Sequence, residues 1–176
     1  MTNTAFFYGT IGGLITVAGL IAGSTLQSQA NPSSLEWLGY LVMILALSMI
    51  FFGIKRYRDR DGGGVIKFVP ALLLGVGIAF VASIIYVLVW EVYDTATHRT
   101  FIDIYTAAVI AAERAKGVSG PALEASIAEM AKLKTQYADP LFRLPMTFLE
   151  IFPVGLVIAL ISAALLRNPR LLPNRA

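Results

Sequence analysis

The chain has 176 residues, 57% of them hydrophobic and 14% charged, with a mean hydropathy of +0.72 and a formal net charge of +3. That composition leaves too little polar surface to solvate a water-soluble globule, so the implied solvent is lipid. Basic residues then read first as topology signals, not as a nucleic-acid footprint, and no nucleic-acid partner is expected. The absence of Cys excludes disulfides and thiolate chemistry.

Four apolar runs, at about 6–25, 35–54, 68–90 and 146–166, each approach the ~20 residues an α-helix needs to cross a ~30 Å hydrocarbon layer. Backbone polar groups in lipid must be paired internally, and runs without alternation favour helices over a barrel. The expected fold is therefore an all-α integral membrane protein: one polytopic domain of four transmembrane helices, with an extracytoplasmic helical hairpin at about 94–143 between the third and fourth. Ser28-Gln29-Ala30 has the small-residue texture of a signal-peptidase site, but no Lys or Arg precedes the first run, which reads as a retained helix. In that run Gly19 and Gly23 form a GxxxG step, which reads first as packing within one bundle; the sharper alternative makes it a contact between protomers of a homo-oligomer.

The first connection, 27–36, has no Lys or Arg. The second run ends in Lys55-Arg56-Tyr57-Arg58-Asp59-Arg60-Asp61, followed by Gly62-Gly63-Gly64 and Lys67. Together with Arg167, Arg170 and Arg175 in the tail, this basic link predicts cytoplasmic N- and C-termini at an inner membrane. Small residues recur every fourth position as Ala71, Gly75, Ala79 and Ser83 in the third run and as Gly155, Ala159 and Ala163 in the fourth, spacings that let helix backbones approach closely.

Between those runs the texture is helical. Phe101, Tyr105, Ala108 and Ala112 share one face; Gly117 to Gly120 punctuate; Pro121 suits a first helical position; and Leu123, Ile127, Met130 and Tyr137 line a second helix that Asp139-Pro140 ends. The hairpin is expected to pack on itself and on the bundle. Trp90 and Tyr93 read as an outer aromatic belt.

Residues 51–59, Phe-Phe-Gly-Ile-Lys-Arg-Tyr-Arg-Asp, followed by Gly64-Val65-Ile66-Lys67-Phe68 and Gly75, resemble the signature of a bacterial membrane family, domain of unknown function 4199. The fourth run, from Phe148-Leu149-Glu150-Ile151-Phe152-Pro153-Val154-Gly155 to Ile161-Ser162-Ala163, is similar to that family's last helix. The resemblance covers most of the chain and implies no activity, substrate or catalytic residue.

Three constellations bear on function. Lys55, Arg56, Arg58, Arg60 and Lys67 next to a glycine turn could hold an anionic headgroup or phosphate, against the plainer reading of a topology determinant; a P-loop is unsupported because the glycines lack the Lys-Ser/Thr ending. Glu91, Asp94 and His98 would share a face if the third helix continued, but with one His a metal site is not favoured, and neither metal nor cofactor is expected. Glu150 stands inside the fourth run, where an ionisable group either caps the first helical turn or faces a polar vestibule shared with Glu91, Arg99 or Arg143. No catalytic triad, carboxylate pair or cofactor fingerprint appears. A membrane scaffold or accessory subunit working with lipids and other subunits is the leading expectation, and a small transporter, channel or lipid-binding protein with an outward-facing polar cavity near Glu150 and Glu91 is the alternative.

Overall fold

A computed structural model describes residues 1–27 and 36–173, with side-chain surroundings given outside 23–40. Seven helices appear among the described residues: α1 (Thr2–Gln27), α2 (Glu36–Leu47), α3 (Met49–Arg60), α4 (Phe68–Ala96), α5 (Thr100–Ala115), α6 (Pro121–Tyr137) and α7 (Pro140–Leu166). Three stretches, Thr2–Ala22, Phe68–Ala96 and Pro140–Leu166, are long and apolar enough to cross a membrane. The chain is a multi-pass membrane protein.

The second apolar run is divided at Ser48 into α2 and α3. The division is slight, since Ser48 keeps helical angles (φ −59°, ψ −17°). Its N–H donates to the Ile44 carbonyl at 3.0 Å, and the Phe52 N–H donates to the Ser48 carbonyl at 3.2 Å. The Ser48 hydroxyl meanwhile donates to the Leu45 carbonyl at 2.6 Å, the local competition that makes serine a weak helix former. After Arg60 the chain reverses through Gly63 (φ +60°) and Gly64 (φ +86°), conformations only glycine adopts without strain.

Helix α4 is the centre of the bundle and packs along both α1 and α7, while α2 and α3 close the circle between α1 and α7. Small residues determine these approaches. A Cβ on Gly75 would lie 2.9 Å from the Ala159 Cβ, and one on Gly155 would lie 2.8 Å from the Ala79 Cβ, so the predicted stripes of α4 and α7 face each other across a tight seam. Ala71, Ala79, Ala159 and Ala163 are fully buried there. On the other side of α4, a Cβ on Gly9 would meet the Val81 Cβ at 2.6 Å and one on Gly13 the Ala82 carbonyl oxygen at 2.6 Å. Gly9 and Gly13 are thus the GxxxG step that works in the first helix. Gly19 packs against the Val42 side chain of the same chain, the within-bundle reading of that step and not the contact between protomers, because α2 folds back along α1. The surroundings of Gly23 lie outside the described residues.

Both long helices overrun their apolar stretches. Helix α4 continues past Trp90 to Ala96, and α7 begins at Pro140, where the Asp139 carboxylate accepts from the Leu141 N–H at 2.9 Å. Asp94 and Arg143, expected at the edges of the connection, therefore sit in the end turns of α4 and α7. Pro145 and Pro153 lie inside α7 and each lacks the donor that the helix would use at that position, a loss neighbouring helices tolerate. Helices α5 and α6 pack on each other, tied by Lys134 Nζ to Asp103 Oδ1 at 2.6 Å. The buried face of α5 is Ile102 and Thr106, rotated from the expected Phe101/Tyr105 face, and Tyr105 is 45% exposed. Trp90 is only 3% exposed and so is no lipid-facing belt residue: Phe101 meets it edge-on at 4.8 Å and Tyr137 covers it.

Candidate functional site

The densest polar site lies where the end of α4 meets the start of α7 and the end of α6. Arg143, one turn into α7, is 1% exposed. Its guanidinium grips Glu91 of α4 through two bonds, Nη2 to Oε1 at 2.6 Å and Nε to Oε2 at 2.9 Å, the fork geometry that makes arginine–carboxylate pairs strong. Nη1 donates to the carbonyls of Tyr137 at 2.7 Å and Ala138 at 3.3 Å, which are left open where α6 ends. The cation also lies 5.6 Å from the Tyr137 ring centroid. Three helices are therefore joined by one side chain. Trp90 Nε1 adds a bond to the Tyr137 hydroxyl at 3.1 Å, and burial raises the Tyr137 phenol above its ordinary range.

The α4–α5 turn sets the remaining charge. His98 (φ +56°) and Arg99 (φ +57°) are consecutive left-handed residues without being glycines, so the turn carries backbone strain. Arg99 Nη2 reaches Glu91 Oε1 at 3.2 Å and Nη1 comes within 3.7 Å of Asp94 Oδ2. Asp94 is fully buried, and among the described residues neither carboxylate oxygen has a hydrogen-bond partner. Of the expected group of Glu91, Glu150, Arg99 and Arg143, the structure brings Glu91, Arg99 and Arg143 together, with Asp94 beside them, and leaves Glu150 out. Glu150 stands apart, exposed on α7, while Tyr86 of α4 is buried. His98 falls beyond the end of α4, so the conditional face of Glu91, Asp94 and His98 does not form, and no group of three or more metal-ligating side chains occurs among the described residues.

At the opposite end of the bundle the basic cluster divides in two. Arg58 is fully buried and is no surface charge: Nη1 donates to the Leu171 carbonyl at 2.9 Å and Nη2 to the Leu172 carbonyl at 2.7 Å, while Nε donates to Asp59 at 2.7 Å. Lys55 pairs with Asp59 at 2.5 Å. Burial pushes the Asp59 carboxyl up, but the hydrogen bonds from Lys55 and Arg58 outweigh it and hold the group below the usual carboxylate range. Arg56 and Arg60 remain exposed, beside a groove lined by Tyr8, Phe52, Lys55, Arg56, Asp59 and Arg60. Lys67 is exposed too, in extended backbone just ahead of α4.

A family model described as protein of unknown function (DUF4199) matches residues 7–168. The chain belongs to this family. The match takes in both buried arginines, the α4–α7 seam and the α5–α6 pair, while the Leu171 and Leu172 carbonyls that hold Arg58 lie just beyond it. No curated protein and no solved structure matches the chain.

Two features escaped sequence reasoning. The burial of Arg58 has no local signal, because the carbonyls that hold it are 113 and 114 residues away. The Gly9/Gly13 step was readable as small-xxx-small, and only its equality with the Gly19/Gly23 step hid which of the two meets α4.

Proposed function

We propose that the chain is a four-span scaffold or accessory subunit of the inner membrane with cytoplasmic termini, and that its non-catalytic role is to hold the α5–α6 hairpin rigidly on the outer side for assembly with other membrane subunits. In this reading α2 and α3 together make the fourth span, supported by the backbone hydrogen bonds that continue through Ser48. The observation that carries the proposal is the engagement of Arg143: its donors bind a carboxylate on α4 and carbonyls at the end of α6, which is the chemistry of a rigid joint and leaves little for a passing ligand. The hairpin so held offers Ile104 at 67% and Ile127 at 38% exposure as apolar contact points. The test is the native mass of the assembly extracted in mild detergent, compared between the wild type and Ile104→Glu/Ile127→Glu. The scaffold reading expects a complex larger than the chain's own oligomer that the double variant reduces, with no solute flux in proteoliposomes; flux above empty vesicles, or an unchanged mass, overturns it.

A second reading, a small transporter or channel, is favoured by one observation, an acidic residue, Glu150, exposed within a span. Under it Glu150→Gln changes ion or pH response in proteoliposomes while assembly stays normal.

A further inference from the structure

We infer that the groove between α1 and α3 at the basic end of the bundle is a binding site for an anionic phospholipid, with Arg56 and Arg60 on the headgroup phosphate and Phe52 against the upper acyl chain. Phe52, Arg56 and Arg60 follow one another at intervals of four along α3 and so share one stripe of the helix. Phe52 is 49% exposed and both arginines are exposed, so the stripe changes from aromatic to cationic along an open surface. At 1.5 Å rise per residue, each step of four covers about 6 Å, so the cationic part begins about one helical turn beyond the aromatic part. That is the depth change between a lipid's upper acyl carbons and its phosphate at the edge of the hydrocarbon layer.

The second wall is Tyr8 of α1, which can lie against α3 because residue 53 is glycine: a Cβ there would stand 3.1 Å from the Tyr8 Cγ. The charges in the groove favour an anion. Asp59 is already bound by Lys55 and Arg58, whereas among the described residues neither Arg56 nor Arg60 has an ion pair or side-chain hydrogen bond. Two unpaired guanidiniums beside an exposed aromatic ring match an amphipathic anion better than a soluble one, because a free phosphate makes no use of Phe52.

The test uses the full chain in nanodiscs of phosphatidylglycerol and phosphatidylcholine, with the lipids retained after mild release counted by native mass spectrometry. The wild type is expected to retain phosphatidylglycerol selectively, and Arg56→Gln/Arg60→Gln to lose about fivefold in selectivity per arginine, the loss that corresponds to about 1 kcal/mol per basic residue at an anionic surface. Arg56→Lys/Arg60→Lys should keep most of the selectivity, and Phe52→Ala should lower retention of both lipids. Thermal melting of each variant confirms an intact bundle. Arg167→Gln/Arg170→Gln, charges outside the groove, should change nothing; an equal loss there means a diffuse surface field and overturns the site. Unchanged selectivity in Arg56→Gln/Arg60→Gln also overturns it, as does displacement of the lipid by millimolar glycerol phosphate, which identifies a soluble phosphate as the occupant.

Discussion

Arg143 and Arg58 sit at opposite ends of the bundle, both essentially buried, and both donate to a carboxylate and to a pair of backbone carbonyls at a helix end or in the tail. They differ in where the carboxylate comes from. Glu91 is 52 residues from Arg143 and on another helix, so that ion pair is itself a tertiary contact. Asp59 is the next residue to Arg58, so the charge is neutralised locally and the long-range work is left to neutral carbonyls of the tail. The comparison teaches that a buried arginine can be a load path between helices or an anchor for a terminal segment, depending on which acceptor is remote. A bound carboxylate shared between helices makes removal of the arginine expensive, because the partner charge stays behind in a poorly solvated place.

The largest expected effect is therefore at Arg143. Arg143→Met should destabilise the protein by about 3 kcal/mol, the lower end of the range for breaking a buried pair, since Glu91 keeps 28% exposure and the company of Arg99. Chemical denaturation in detergent measures it, and a loss no greater than that of Arg58→Met would erase the proposed asymmetry. Glu91→Gln should cost about 2 kcal/mol by weakening charge-assisted bonds without removing every acceptor. A double-mutant cycle with Arg143→Met should return a large coupling, and additive losses would show that the two side chains do not act as a pair. Arg58→Met should cost about 1 to 2 kcal/mol and, more diagnostically, make residues 168–173 sensitive to protease while the helices stay protected. A tail that stays protected would show that it is held by something other than this arginine.

The smallest effect concerns pH. Because the folded Asp59 carboxyl is held below its ordinary value, its contribution is fully present above about pH 4 and is lost as pH falls through the lower folded value. Amide exchange near Leu171 and Leu172 should accelerate only in that acid window, by less than about tenfold, and the acceleration should disappear in Asp59→Asn. Faster exchange on raising the pH from 5 to 8, beyond the intrinsic base dependence of free peptide, would contradict this sign.

The apolar runs, the helical texture between them and the Asp139-Pro140 boundary were legible because hydrophobic length and proline chemistry act locally. The facing stripes Ala71/Gly75/Ala79 and Gly155/Ala159 were legible as well, since only small residues permit such close approach. The contact made by Gly19 was not, because one small-xxx-small step looks like another until the partner helix is known. Trp90 looked like a belt residue for a related reason: its position at a span end is local information, whereas its cover by Phe101 and Tyr137 depends on how α5 and α6 return.

By itself the sequence determined a lipid-embedded helical protein with a basic cluster at residues 55–67, consequences of composition and of the need to pair backbone groups without water. Tertiary structure alone decided which charges are buried. The same residue type is a free cation at Arg56, a clamp on the tail at Arg58 and a three-helix joint at Arg143, and the difference lies in acceptors contributed by residues far away in the chain.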